Sequence, residues 1–495
     1  MIRRMLMACL AFGAVGLGGC WPMARIVWSP DGQRAIVLGQ HQDEPCLYLC
    51  DAEGRLSGRI AERVTAWTWL GDSRRFLVVR VGPPLKTWKE VSALMAKGRR
   101  QRITYRAEDL RKEILRHGAL DGDSARWRTD RFAFMCLRDT YGKELAPKAG
   151  QKWKQIEQIQ HEPWVVQVYH RTAGGARPGE VLLQSLDAIF GIGAAPDARA
   201  FAYVAKVSDS RMYGDVPRGG DLSLHVAAFQ AGARPVQVAD LVSFFFDWSP
   251  DGRYLAYVKA VSAKPAGSDR LQLGSVDRRK VRDETGAVLA KLPKADPLVG
   301  LIFHEMLRVR WLRGGQVVFS AAEVQLPATA ADMPPKAGLF AVDPDRPLTV
   351  RRLLPRKAED VVGDRPDLFQ VSPDGELVSI PGSRGEVTVV DLTTGGVWEV
   401  QERSDKMDSD DAPFNMPVWR SDRELCFVAA PGSPHGSKRR CQIVLLSGKD
   451  NEFRCISRAW PKEIMGKELE EQADEPQTKP AKPFRPTSRP AKLWP

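Results

Sequence analysis

Short runs of alternating apolar and polar residues, each closed by a turn, recur along most of the chain. In VWSPDGQRAIVL at 27–38 an apolar run ends in Trp28, a polar turn follows, and a second apolar run begins. The pattern returns as DWSPDGRYLAYV at 247–258 and as QVSPDGELVSI at 370–380. A side-chain period of two marks half-buried strands. Ser-Pro-Asp-Gly between them predicts a type I turn, because proline at its second position presets φ and glycine suits its fourth. Weaker copies are TWLGDSRRFLVV at 68–79, GAAPDARAFAYV at 193–204, RWLRGGQVVFS at 310–320 and VWRSDRELCFV at 418–428. The equivalent positions are Trp28, Trp69, Ala194, Trp248, Trp311, Val371 and Trp419.

Further strand-and-turn runs follow several copies: CLYLCDAEG at 46–54, GLFAVDPDR at 338–346 and EVTVVDLTTGG at 386–396. A short polar strand then leads to the next tryptophan position. About four short strands per unit is the make-up of a propeller blade, and a repeat of this length implies units that bury their faces against neighbours. The expected fold is an all-β propeller over 21–460. Seven copies suggest seven blades, and the drifted copies leave six or eight open. Its structural residues are Trp28, Pro30, Asp31, Gly32, Trp69, Trp248, Pro250, Asp251, Gly252, Trp311, Pro373, Asp374, Gly375 and Trp419, with the tryptophans between blades. Closure of the ring is expected to pair strands from the two chain ends. W-S-P-D-G followed by an apolar strand resembles the TolB-type, WD-like repeat of bacteria, over roughly 24–85 and 165–460. That resemblance implies the propeller fold and does not carry a role with it.

One spacing breaks the series. Between Trp69 and Ala194 an insertion at 83–163 opens on Pro83-Pro84. WKEVSALMAKG at 88–98 and AEDLRKEILRHG at 107–118 place apolar residues at helical spacing, each with glycine as a stop. A small helical subdomain is expected, with 18 basic against 11 acidic residues. Arg99, Arg100, Arg102 and Arg106 are its candidate contacts for an acidic partner or anionic lipid; a solvated helical face is the alternative. From 461 to 495 proline, lysine and glutamate replace the apolar runs, and a disordered tail is expected.

The first twenty residues set the expected address. Arg3 and Arg4 precede an apolar stretch, Met5 to Leu17, too short to span a bilayer but suited to a signal peptide. It ends in Leu17-Gly18-Gly19-Cys20, which resembles the bacterial lipobox. The resemblance implies 1–20 as a lipoprotein signal, with Cys20 as lipid acceptor and mature N-terminus carrying two or three acyl chains. Trp21, not Asp, follows, and by the same resemblance this favours the outer membrane, facing the periplasm.

Six cysteines then remain: Cys46, Cys50, Cys136, Cys426, Cys441 and Cys455. Cys46 and Cys50 sit four apart on one strand, roughly 13 Å, too far to bridge each other. Cys441 and Cys455 flank SGKDN and are a candidate disulfide across a hairpin.

Composition narrows the classes further. The 495 residues are 43% hydrophobic and 27% charged, with net charge +12. That excludes a polytopic membrane protein, a collagen-like chain and a wholly disordered one. No nucleophile elbow, P-loop or dinucleotide motif occurs, and His304-Glu305 lacks the second histidine of a zinc motif. The acidic run Asp405 to Asp411 lacks the glycine and distal glutamate of an EF-hand, and reads as a solvated loop. His41, Asp43 and Glu44 read as a polar hairpin tip. No catalytic residue, metal or cofactor is called for, nucleic acid is not an expected partner, and oligomeric state stays open.

The sequence therefore points to a non-catalytic, lipid-anchored propeller acting as a protein-interaction scaffold or ligand-recognition module of the cell envelope. Two alternatives stand beside it: an enzyme or sensor with a sugar or small-molecule site at the channel mouth, and a structural lipoprotein binding cell-wall polymer.

Overall fold

The computed structural model describes residues 24–84 and 164–464, apart from residue 43 and breaks at 176–178, 186–188, 207–221, 234, 241, 261–270, 281–286, 292–306, 323–336, 354–367, 383–385, 402–415, 430–441, 449–451 and 462–463. Among the described residues, twenty-eight strands form seven four-stranded antiparallel sheets. The sheets are the blades of a propeller, in chain order Ile26–Glu62, Val64–Ser185, Ile189–Asp240, Val242–Lys291, Val309–Arg352, Gln370–Gln401 and Val418–Cys455. Of the six, seven or eight blades the sequence allowed, the ring has seven. The lipobox with Cys20, the basic residues Arg99, Arg100, Arg102 and Arg106, the acidic run at 405–411 and nearly all of the 461–495 tail lie outside the described residues.

The first strand of each blade is the inner one: Ile26–Trp28, Val64–Trp69, Ile189–Ala194, Val242–Trp248, Val309–Trp311, Gln370–Val371 and Val418–Ser421. First strands of adjacent blades touch round most of the ring. Apolar side chains cluster in seven groups, one at each seam between adjacent blades. That is where the alternation read from the sequence goes, since both faces of each sheet meet a neighbour and only the edges and ends meet solvent.

Ring closure departs from the sequence expectation. Every blade is built of four consecutive strands, so no sheet mixes strands from the two chain ends. The seam between the seventh and first blades is closed by packing. Ile26, Trp28, Val37 and Tyr48 meet Val428, Ile443, Leu445 and Ile456 in one buried cluster. The chain then continues over the seam. The Trp460 indole N–H donates to the Gly54 carbonyl at 2.7 Å, and Ile464 is buried against the first blade. The reason is local: residues 56–62 already supply the fourth strand of the first blade, so the other terminus is not needed to complete it.

Among the described residues four cysteine thiols, Cys46, Cys50, Cys426 and Cys455, form no disulfide. The last hairpin sets Val444 opposite Cys455, and Cys441, its expected partner, lies outside the described residues.

Candidate functional site

The turns explain why these residues recur. Ser29 is buried, its hydroxyl donates to the Asp31 carboxylate at 2.6 Å, and it accepts the Arg34 amide at 3.1 Å. Ser249 does the same with Asp251 and Tyr254, and Ser372 with Asp374 and Leu377. The aspartate takes the next amide as well: Gln33, Arg253 and Glu376 donate to it at 3.0–3.1 Å. Proline fills the solvent-facing corner at 30, 250 and 373. Gly32, Gly252 and Gly375 carry φ of +67°, +67° and +83°, a region that costs an L-residue energy. In the drifted copies Ser73 and Ala198 hold the same corner at +55° and +53°.

Three of the five repeat-position tryptophans, Trp69, Trp248 and Trp419, obey one rule. The Trp69 indole N–H donates to the Val27 carbonyl at 2.9 Å, Trp248 to Gly193 at 3.0 Å, and Trp419 to Gln370 at 3.1 Å. Each acceptor directly precedes the tryptophan-equivalent position of the preceding blade, so each bond ties two blades near the axis. Trp311 instead stacks on Tyr254, and its indole nitrogen meets no hydrogen-bond partner.

These turns also touch their neighbours. Asp31 N–H donates to Ser73 Oγ, Arg420 Nε to the Gly32 carbonyl, and a Cβ on Gly71 would overlap the Pro196 carbonyl. Arg278 pairs with Asp197, whose carboxyl that hydrogen-bonded guanidinium holds down at about 2. Arg423 reaches Glu376 at 2.8 Å. One face of the ring is thus a belt of tight turns whose charges are largely paired to one another.

The opposite face is built differently. Strand alternation sends the second-to-third-strand connections and the connections between blades to that face, and these are the long ones. They include 85–163, 207–221, 261–270, 323–336 and 430–441 within blades, and 292–308, 353–369 and 402–417 between blades. The insertion leaves the second blade after Pro84 and returns at Trp164 on this face. His41 and Glu44 form an exposed hairpin tip there.

The channel between the two faces carries the structure's inner charges. Asp247 of the fourth blade accepts the Trp311 amide at 2.8 Å and the Arg310 guanidinium at 3.4 Å; Arg310 reaches on to Gln370 of the sixth blade at 3.4 Å. Burial pushes the Asp247 carboxyl up, against the pull of Arg310 and the amides. Nearer the long-connection face, buried Arg308 lies 4.2 Å over the Phe245 ring, and donates to the Phe369 carbonyl and toward Met416 Sδ. It thereby links four blades across the mouth. Sequence reasoning missed both groups, because their members lie about sixty residues apart or more.

Among the described residues no group of three or more His, Cys, Asp and Glu is placed to hold a metal, and no helix is long and apolar enough to cross a membrane. A further polar cluster among the described residues lies between the second and third blades. The Ser223 hydroxyl is 2.8 Å from His225 Nε2, and Tyr203 stacks on the ring at 5.0 Å. Burial lowers the His225 pKa to about 4, which leaves it neutral and a weak base at neutral pH.

No family model and no curated protein matches the chain. Solved structures similar to it include prolyl endopeptidases, at 11% identity and TM-score 0.46, covering 90% of this chain and 51% of theirs. The chain thus spans about half the length of those enzymes. The β-propeller domain of the Trilobed protease from Pyrococcus furiosus is similar at 9% identity and TM-score 0.46, covering 88% and 96%. An Agrobacterium tumefaciens protein assigned as TolB is similar at 12% identity and TM-score 0.35, covering 56% and 83%.

Proposed function

We propose that the protein is a non-catalytic recognition module of the cell envelope, lipid-anchored through Cys20, that docks a protein partner on its long-connection face. The asymmetry of the ring carries this reading. One face spends its polar groups on its own turns, while the other collects the long connections and the basic insertion. Loops carried on a rigid scaffold are where binding residues concentrate. The channel favours recognition over chemistry, since Asp247, Arg310 and Gln370 satisfy one another. The anchor and outer-membrane address rest on the Leu17-Gly18-Gly19-Cys20 lipobox. Arg99, Arg100, Arg102 and Arg106 are the proposed contacts for an acidic surface on the partner.

The test is affinity capture from cross-linked envelopes, comparing the wild type with a deletion of 83–163 that keeps the wild-type melting temperature. A stoichiometric partner lost with the deletion supports docking through the insertion. A partner that remains moves the surface to the other long connections. No partner in either sample refutes the scaffold reading and favours a small ligand at the channel.

A further inference from the structure

We infer that the long-connection face lies against the bilayer that holds the anchor, with the tight-turn face pointing away. This rests on the lipid-anchor reading of Cys20. The geometry comes from where the first blade begins. Leu38 N–H donates to the Arg25 carbonyl at 2.8 Å, which extends the pairing of the first two strands beyond Ile26 and Val37. Continued by one residue, this register brings Ala24 level with Gly39, and the second strand runs on to His41 at the rim of the long-connection face.

Lengths decide the orientation. Cys20 precedes Ala24 by four residues, a reach of about 14 Å when fully extended. From the level of Gly39 to the rim beyond His41 is two to three strand residues, about 7–10 Å. The lipidated residue can therefore clear this rim by at most about 4–7 Å. In the other direction the chain would have to pass Gly39 to Arg34, about 17 Å of strand, and then the Ser29–Gly32 turn. The tether is too short for that path.

Acyl chains fix Cys20 at the level of the lipid headgroups. The rim of the first blade is thereby held against the headgroup layer, and the belt of paired turns faces the aqueous side. Exposed His41 and Gln40 lie on the bilayer side, and exposed Lys280 and Arg313 on the far side. A partner taken by the long-connection face must accordingly be reached at the membrane surface.

The experiment uses the full chain, lipidated in the cell and reconstituted into phosphatidylethanolamine–phosphatidylglycerol vesicles. A photo-reactive amino acid replaces His41 or Lys280, with Gln40 and Arg313 as a second pair should either variant fail to fold. Flotation reports anchoring, and mass spectrometry reports protein–lipid adducts. The expected result is flotation of all variants, with lipid adducts about fivefold or more higher at 40 and 41 than at 280 and 313, because the short tether holds one rim at the headgroups. Flotation with equal or reversed adducts overturns the orientation and leaves the anchor standing. Absence of flotation overturns the anchor, and the orientation with it.

Discussion

Replacing Gly71 by alanine tests the belt of turns that defines one face of the ring. Gly71 stands at the second position of the second blade's turn, with a φ outside the left-handed region that strains an L-residue. A Cβ there would sit well inside 3.0 Å of the Pro196 carbonyl oxygen, which is backbone of the next blade's turn. Neither partner is a side chain that can swing aside, so the second and third blades must part by roughly 1 Å. Overpacking of this kind costs about 1–3 kcal/mol. Loss of glycine's freedom in the unfolded chain returns about 0.4–1 kcal/mol, leaving a net loss of about 0–2.6 kcal/mol, centred at about 1.3. Gly58 is the control, exposed on the first blade's outer strand with nothing within 4 Å of a built Cβ. Gly58→Ala should be neutral or slightly stabilising. Urea unfolding followed by tryptophan fluorescence measures both. Amide exchange should rise at the seam of Leu70, Leu77 and Phe201, and not at the seam between the fifth and sixth blades. Equal midpoints for the two alanines would refute direct contact between adjacent turns.

Four further outcomes are expected. Trp248→Phe should cost about 1 kcal/mol more than Trp311→Phe in urea unfolding, because only Trp248 loses an interblade indole hydrogen bond. Cys50 and Cys426 are buried and raised to about 12, so neither should react with a thiol reagent at pH 8 until denaturant is added; mass mapping of the adducts checks this. His225 has its folded pKa lowered to about 4, so the unfolded chain binds the proton more readily. Its contribution is complete above pH 6.5 and is lost as pH falls toward 4, by about 3 kcal/mol in all; His225→Gln should flatten the stability profile in that window. Asp197 is depressed to about 2 by Arg278, so Asp197→Asn should destabilise at pH 7, with the difference from wild type closing as pH falls from 3.8 toward 2.

What could be read in the sequence follows the range of the physics involved. Six of the repeat positions, 28, 69, 194, 248, 311 and 371, end inner strands, and Trp419 lies inside the seventh, Val418–Ser421. A Ser-Pro-Asp-Gly turn is specified by contacts within six residues, so even the drifted Leu70–Ser73 copy keeps its bond from Ser73 N–H to the Leu70 carbonyl. Closure was misread because LSGRIAE at 56–62 shows little alternation on an exposed outer edge, and so did not register as the strand that completes the first blade. The channel groups were invisible for another reason. Asp247 follows three phenylalanines, and nothing nearby marks it as the partner of Arg310 and Gln370. Only the ring brings them together. The pair of buried Ser223 and half-buried His225 was likewise hidden in a strand pattern that reads as core.

The asymmetry of the two faces is tested most directly by amide exchange on the captured complex against the free protein. Protection is predicted at 38–44, 81–84, 164–168 and 416–418, where the described chain approaches the long connections, with no change at the turns 29–34, 249–254 and 372–377. Protection confined to those turns would place the partner on the opposite face and contradict the proposed role of the long connections.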